Sequence, residues 1–305
     1  MTMLDRAQGC LLGLAVGDAV GTTVEFKDRG TFPLMTDMVG GGPFSLAPGQ
    51  WTDDTSMALC LGYSLVLNGF DPLDQMTRYV KWYTDGYMSC TGRCFDIGGT
   101  TRGALYSFQK DPFKNPIAGS THFMDAGNGC IMRLAPVPIM YALDAEKAIE
   151  LSGTQSTVTH GSDECVKASR MFGEILVRAL NEMSKEEVLR LDISEPTSEL
   201  RSLENIARGT YFNAEEKDIR GSGYVVESLE AALWCFYTTE NFKDCILKAA
   251  NLGDDADTTA AIAGQVAGAY YGLAGIPVEW VQRVSWRDHI LELATDLVNK
   301  QEDVK

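Results

Sequence analysis

The chain has 305 residues, with 26 lysines and arginines against 42 aspartates and glutamates, a formal net charge of −16 at neutral pH. That balance argues against a nucleic-acid backbone or an anionic membrane as partner, since both need basic patches that displace counterions. Hydrophobic residues make up 45% and charged residues 22%, a globular composition that can bury a sizeable core.

At the N-terminus, Asp5 and Arg6 precede any apolar run, and there is no basic stretch followed by a small-residue cleavage site. This does not read as a secretion signal, so a cytoplasmic protein is expected. Glycines then recur every fourth residue, at Gly9, Gly13, Gly17 and Gly21, with Asp18 and Glu25 at or just beyond the end of the segment. A glycine inside a helix costs about 1 kcal/mol relative to alanine, so such a ridge makes sense where a second backbone must come close. Gly40-Gly41-Gly42-Pro43 and Ala47-Pro48-Gly49 read as loops. Trp51-Thr52-Asp53-Asp54-Thr55 stands directly ahead of the apolar run SMALCLGYSL, and Gly69-Phe70-Asp71-Pro72 ends it.

Helical period returns over 162–182, where Val166, Met171, Ile175, Leu176 and Ala179 share a face, and again over 225–237, 242–250 and 285–298. A second acidic cluster, Gly253-Asp254-Asp255-Ala256-Asp257-Thr258, opens a second small-residue ridge at Ala260, Gly264, Gly268 and Gly272. The two ridged helices are expected to meet at the centre of the fold. Strand-like alternation is hard to find, no linker splits the chain, and no uncharged apolar stretch reaches the roughly 18 residues of a membrane span. The expected fold is all-α, a single compact orthogonal multi-helix domain over 1–305.

Eight cysteines without a CxxC pair and only three histidines argue against a disulfide framework or a zinc site, leaving buried free thiols in a reducing compartment. The acids at the two helix starts have two readings. One carboxylate per helix suffices to cap free N–H groups and complement the dipole, at about 0.3–1 kcal/mol each. Two or three in a row repel one another, and a hard cation held by oxygen ligands accounts for the excess. If the ridges pack, both clusters together with Asp18 and Glu25 reach one end of the bundle, an arrangement suited to a two-metal site. Neither cluster is followed by the 12-residue loop of an EF-hand.

Seven blocks spread along the chain are specific enough to carry a resemblance: GCLLGLAVGDAVGTTVEF at 9–26, WTDDTSMAL at 51–59, CFDIGGTTRGAL at 94–105, GNGCIMRLAPVPI at 127–139, THGSDE at 159–164, SGYVVESLEAALWCF at 222–236 and NLGDDADTTAAIAGQVAGAYYG at 251–272. Together, and in this order, they resemble the ADP-ribosylglycohydrolase family, which includes the ADP-ribosylarginine hydrolases. The resemblance implies an all-α fold, a binuclear Mg²⁺ or Mn²⁺ centre and removal of ADP-ribose from a protein side chain. It places metal ligands at Thr52, Asp53, Asp54, Asp255, Asp257 and Thr258, and an acid of a loop near the metals at Glu25. Asp254 stands where many relatives carry glycine and is read here as a helix cap. The Ile97-Gly98-Gly99-Thr100 turn departs from a more usual glycine–asparagine form.

Cleaving an N-glycosidic bond passes through an oxocarbenium-like ribose and needs an activated water and a protonated leaving group. Glu25, Asp54 and Asp96 are the candidate catalytic acids. Asp96 matches a position where arginine-directed members place a carboxylate facing the guanidinium, which favours arginine as the linkage; its alternative role is a buried helix cap. Substrate contacts are expected along Ile97, Gly98, Gly99 and Thr100, along Gly127, Asn128, Gly129, Met132 and Arg133, and at His160, Gly161, Gly223 and Tyr224. The glycines let backbone N–H groups approach a diphosphate. Arg133 either neutralises phosphate or pairs with a carboxylate across the core. Tyr224 either stacks on the nucleoside or packs its helix, and His160 either touches ligand or opens a helix. The expected partner is an ADP-ribosylated protein, with ADP-ribose as product and the enzyme a monomer. Serine-linked ADP-ribose, or an immunity-type protein that binds a transferase or its target, are the alternatives.

Overall fold

The computed structural model describes residues 1–111, 113–191 and 201–302. In chain order the helices are α1 (Met3–Gly21), α2 (Asp53–Asn68), α3 (Pro72–Asp85), α4 (Gly99–Lys110), α5 (Gly129–Met132), α6 (Pro136–Met140), α7 (Ala145–Thr157), α8 (Asp163–Leu180), α9 (Lys185–Leu189) and α10 (Arg201–Ala207), followed by α11 (Val225–Tyr237), α12 (Phe242–Ala250), α13 (Ala256–Tyr271), α14 (Val278–Arg283) and α15 (Arg287–Asn299). Only isolated bridges represent β-structure among the described residues, so the expected all-α fold is the one observed. The four segments of helical period correspond to α8, α11, α12 and α15, the last entered through Trp286 in the left-handed region at φ 60°.

At the centre, α1 and α13 lie antiparallel with their backbones in contact. A Cβ built on Gly9 would sit 2.3 Å from the Gly268 carbonyl oxygen, one on Gly13 2.3 Å from that of Gly264, one on Gly17 2.0 Å from that of Ala260, and one on Gly21 2.3 Å from that of Ala256. The ridge on α13 is therefore Ala256, Ala260, Gly264 and Gly268. Gly272 instead ends the helix at φ 71°, with Asp5 against it. Almost every residue from Arg6 to Gly21 and from Ala256 to Ala269 is buried, as expected of helices surrounded on all sides. The surrounding elements are chiefly α2, α8, α11, α12 and α15. Buried Arg6 donates to the carbonyls of Ala179, Ala269 and Tyr270, satisfying the open C-terminal ends of α8 and α13.

Several helices begin with their own side-chain cap: Asp71 ahead of Pro72 for α3, Ser162 for α8, Ser184 in a capping box with Glu187 for α9, and Asn241 for α12. At α2, α4 and α13 the residues Thr52, Gly98 and Asp255 supply none. These three starts face one cavity. The antiparallel register of α1 and α13 brings the exit of one helix, with Asp18 and Glu25, to the entry of the other, with Asp255 and Asp257.

Gly13→Ala places a methyl against a backbone carbonyl that no rotamer change can move, and a loss of about 2–3 kcal/mol is expected. Gly103→Ala, on an exposed face of α4 with no atom within 4 Å of the new methyl, should be neutral or stabilise by up to about 1 kcal/mol. Thermal denaturation of the two variants side by side checks the pair.

Candidate active site

Seven carboxylates, Asp18, Glu25, Asp53, Asp54, Asp96, Asp255 and Asp257, gather where α1 ends and α2 and α13 begin. Among the described residues no lysine or arginine pairs with any of them. Thr52 shows the resulting conflict. Its hydroxyl lies 2.9 Å from Asp18 Oδ1, 3.1 Å from Asp54 Oδ2 and 3.1 Å from Asp257 Oδ2, yet it has one proton to donate. The other two contacts then need either a proton on the carboxyl or a cation between the oxygens.

The four positions at which Asp18 can accept are filled. Thr52 N–H (2.8 Å) and Oγ1 donate to one oxygen, and Thr55 N–H (3.1 Å) and Oγ1 (2.6 Å) to the other. These bonds fasten the first turn of α2 to α1 and direct the Thr52 proton to Asp18, leaving Thr52 lone pairs, Asp54 and Asp257 facing a common point. Asp54 Oδ1 and Glu25 Oε2 are buried with no partner. Ligand oxygens of Asp18, Asp54 and Asp257 fall within 4.8 Å of one another, and so do those of Glu25, Asp96 and Asp257. Asp257 thus belongs to both groups. Either group offers the hard oxygen donors a divalent cation takes, and neither includes Asp53 or Asp255, which the sequence also offered as ligands.

Burial is the leading cause that raises the pKa of every acid in the group. Glu25 is pushed up to about 10, with the charges of Asp96 and Asp255 adding to burial, and Asp96 to about 7. Asp53, Asp54 and Asp257 are raised well above the ordinary carboxylate range, with neighbouring carboxylates adding to burial. Asp255 is raised less, because the Asn128 amide donates to it at 2.6 Å. Asp18 reaches only about 6, because the Thr52 and Thr55 bonds oppose the desolvation.

The acids open into a cavity of about 620 Å³ whose other walls include Ile97, Gly98, Gly99, Thr100, Gly127, Asn128, Gly129, Met132, His160 and Gly223. No atom lies within 4 Å of a Cβ built on Gly98 or Gly99, and neither has a positive φ. Glycine at these positions leaves open space beside the α4 N-terminus, where the first intrahelical bond is Arg102 N–H to Gly98. The glycines at 127 and 129 have a different cause. A Cβ on Gly129 would come within 2.7 Å of the His160 ring, and one on Gly127 within 3.3 Å, so they admit the imidazole into the wall. His160 contacts Thr159 Oγ1 through Nδ1 at 2.8 Å, and burial holds its pKa at about 3.

Other expected contacts fall elsewhere. Arg133 is fully buried and meets neither an acid nor the cavity. Its guanidinium donates to the Gly129 and Gln155 carbonyls and to Gln155 Oε1 and stacks 4.9 Å over Tyr79, bracing the Gly127–Gly129 turn from behind. Gly161 is glycine because the Gly119 carbonyl lies 2.6 Å from its Cβ position. Tyr224 begins α11, donates its hydroxyl to Glu164 at 2.7 Å, and lines an adjoining lobe with Phe123 and Met124 that shares Thr100, Gly127 and Gly223 with the main cavity. Asp96 caps no helix, since Gly98 holds that place for α4. It adopts φ 62° and turns toward Glu25 and Asp257. Asp254 does not cap either: Asp255 is the α13 N-cap, and Asp254 at φ 60° exchanges backbone bonds with Phe26 and Lys27, which explains a glycine preference there. All eight cysteines are free, with Cys90 and Cys94 half-buried and the others buried.

The family model for ADP-ribosylglycohydrolase matches residues 1–305. The chain belongs to the ADP-ribosylglycohydrolase family. It is 48% identical to an ADP-ribosylarginine hydrolase Tri1 of Pseudomonas putida (strain GB-1), over 99% of this chain and 80% of that protein. It is 32% identical to the ADP-ribosyl-[dinitrogen reductase] glycohydrolase of Rhodospirillum rubrum, over 93% and 91% of the two chains. A solved ADP-ribosylglycohydrolase-related protein complex superposes with a TM-score of 0.85 at 40% identity, covering 98% of this chain and 99% of that one. No helix among the described residues is long and apolar enough to cross a membrane.

Sequence reasoning about this ADP-ribosylglycohydrolase missed Phe26, Phe44 and Thr101 in the cavity wall. It grouped Asp18 with the converging acids but did not foresee that Asp18 would fasten the first turn of α2 through Thr52 and Thr55. Because His160 stays neutral when folded and charges when unfolded, acid favours the unfolded chain. Its share of stability is whole above about pH 6.5 and is lost as pH falls toward 3. His160→Gln should flatten that acid limb relative to wild type, measured as melting temperature from pH 7 to 4.

Proposed function

We propose that the protein hydrolyses the bond between ADP-ribose and an arginine side chain of a modified protein, using two divalent cations, Mg²⁺ or Mn²⁺, held by Thr52, Asp53, Asp54, Asp255, Asp257 and Thr258. The observation that carries the metal requirement is the single Thr52 proton among three carboxylates, which is relieved when a cation takes the place of the missing protons. The names of the relatives support arginine as the linkage, and so does Asp96 standing beside Glu25 at the cavity end where a cationic leaving group would sit.

When bound, such ions would hold ribose hydroxyls and polarise a water. The remaining tasks belong to the chain's own residues. Free N–H groups at the start of α4, backed by the helix dipole and the open space at Gly98 and Gly99, bind the diphosphate. The adjoining lobe with Phe123, Met124 and Tyr224 takes the adenosine end. Asn128 orients Asp255, and Arg133 holds the Gly127–Gly129 turn against His160. Glu25, with Oε2 free of protein donors, accepts the proton of the attacking water, provided that bound cations offset the burial and carboxylate charges that raise its pKa in their absence. Asp96 pairs with the guanidinium and, in its protonated form, gives a proton to the nitrogen that takes the electron pair of the broken C–N bond, so that guanidinium departs; the proton Glu25 took from water then restores Asp96.

Incubating arginine-ADP-ribosylated protein with the enzyme in Mg²⁺, Mn²⁺ and EDTA, and measuring free ADP-ribose, tests this reading. Release is expected with metal and absent in EDTA, and Asp53→Ala and Asp255→Ala should lower it more than about 100-fold while remaining folded. Persistent release in EDTA would overturn the metal site, and cleavage of a serine-linked substrate alone would overturn the role of Asp96. Because the metal-free pocket is lined by carboxylates, calorimetry should also show ADP-ribose binding weakened by EDTA; equal affinity in both conditions would contradict that account.

A further inference from the structure

Two phenylalanines, Phe26 and Phe44, line the acidic end of the cavity, and a third, Phe95, packs against Phe44. Phe26 follows Glu25, Phe95 precedes Asp96, and Phe44 lies in the loop closed by the paired backbone bonds of Gly41 and Leu46. Phe44 joins them, 6.4 Å from Phe26 at 76° and 5.1 Å from Phe95 at 58°. Phe26 is placed against two tendencies at once. It has φ 63°, where a bulky side chain is an outlier, and the residue as a whole is 68% exposed. Its N–H is held by the Asp254 carbonyl at 2.8 Å. Strain of this kind is kept where the surroundings enforce it and a task requires it.

The position of the rings defines the task. Phe26 and Phe44 line the main cavity with Glu25, Asp53 and Asp96 but not the adjoining lobe, which joins at Thr100, Gly127 and Gly223. With the diphosphate at the α4 N-terminus and the ribose over the acids, the rings lie on the leaving-group side. We propose that Phe26 and Phe44, backed by Phe95, form an aromatic mouth that receives the planar guanidinium of the modified arginine and so selects arginine over a hydroxyl-linked residue. The proposal rests on the arginine reading above. A guanidinium is flat and weakly hydrated, and it stacks on aromatic faces while donating to carboxylates at its edge. The mouth offers both chemistries together, whereas a serine linkage would gain nothing from the rings.

The test compares Phe44→Leu, Phe44→Tyr and Phe26→Ala with wild type in the metal-loaded enzyme, reading kcat and KM on an arginine-ADP-ribosylated peptide and Kd for free ADP-ribose, which carries no guanidinium. Phe44→Leu and Phe26→Ala should lose about tenfold in kcat/KM, mainly through KM. Phe44→Tyr, which keeps the ring, should stay within about twofold, and the Kd for ADP-ribose should not move in any variant. An equal loss of ADP-ribose affinity would assign the rings to the nucleotide sugar and overturn the proposal. So would wild-type kcat/KM in both Phe44→Leu and Phe26→Ala. Absence of wild-type turnover on the arginine-linked peptide would overturn the arginine reading itself, a result distinct from these two.

Discussion

The backbone contact between α1 and α13 is the constraint on which the rest of the molecule depends. Carbonyl oxygens of each helix occupy the space where the other would carry Cβ atoms, so the pair has one register and one separation. The register sets the exit of α1 beside the entry of α13, and Asp18 then ties α2 to the same point through both oxygens. Three helix ends converge on the site, although the segment joining α1 to α2 runs from Thr22 to Thr52 and itself brings Glu25.

A cost follows from that convergence. Seven buried or half-buried acids gather with no basic partner among the described residues, and burial raises the pKa of each. The starts of α4 and α13, where the N-cap residues Gly98 and Asp255 make no side-chain cap bond, turn positive dipole ends toward the cavity and offset part of this charge, but they supply no counter-ion. The packing energy of the central pair and its apolar surroundings holds the acids in place, and one oxygen each of Asp54 and Glu25 remains buried without a protein partner.

Much of this was legible in the chain. The four-residue spacing of small residues identified the two central helices, because glycine is a poor choice in a helix unless a close approach requires it. Consecutive aspartates ahead of α2 and α13 marked the acidic site, because capping alone does not call for so many charges. The role of Arg133 was not legible: a buried arginine suggests phosphate or carboxylate, and only the fold shows the Gln155 and Gly129 carbonyls that surround it. Asp96 was readable as a cap until α4 was seen to begin at Gly98.

What the sequence by itself determined is local or periodic: the helical segments, the ridges, the acid clusters and the residue types available to hold a cation. Tertiary structure alone decided which oxygens share one threonine proton, that Asp257 bridges two groups of acids, that His160 rather than a ligand accounts for Gly127 and Gly129, and that three phenylalanines from distant loops meet beside Glu25 and Asp96. Those outcomes depend on distances between segments far apart in the chain. Local propensity carries no record of such distances, whereas a backbone contact with a single register sets them all at once.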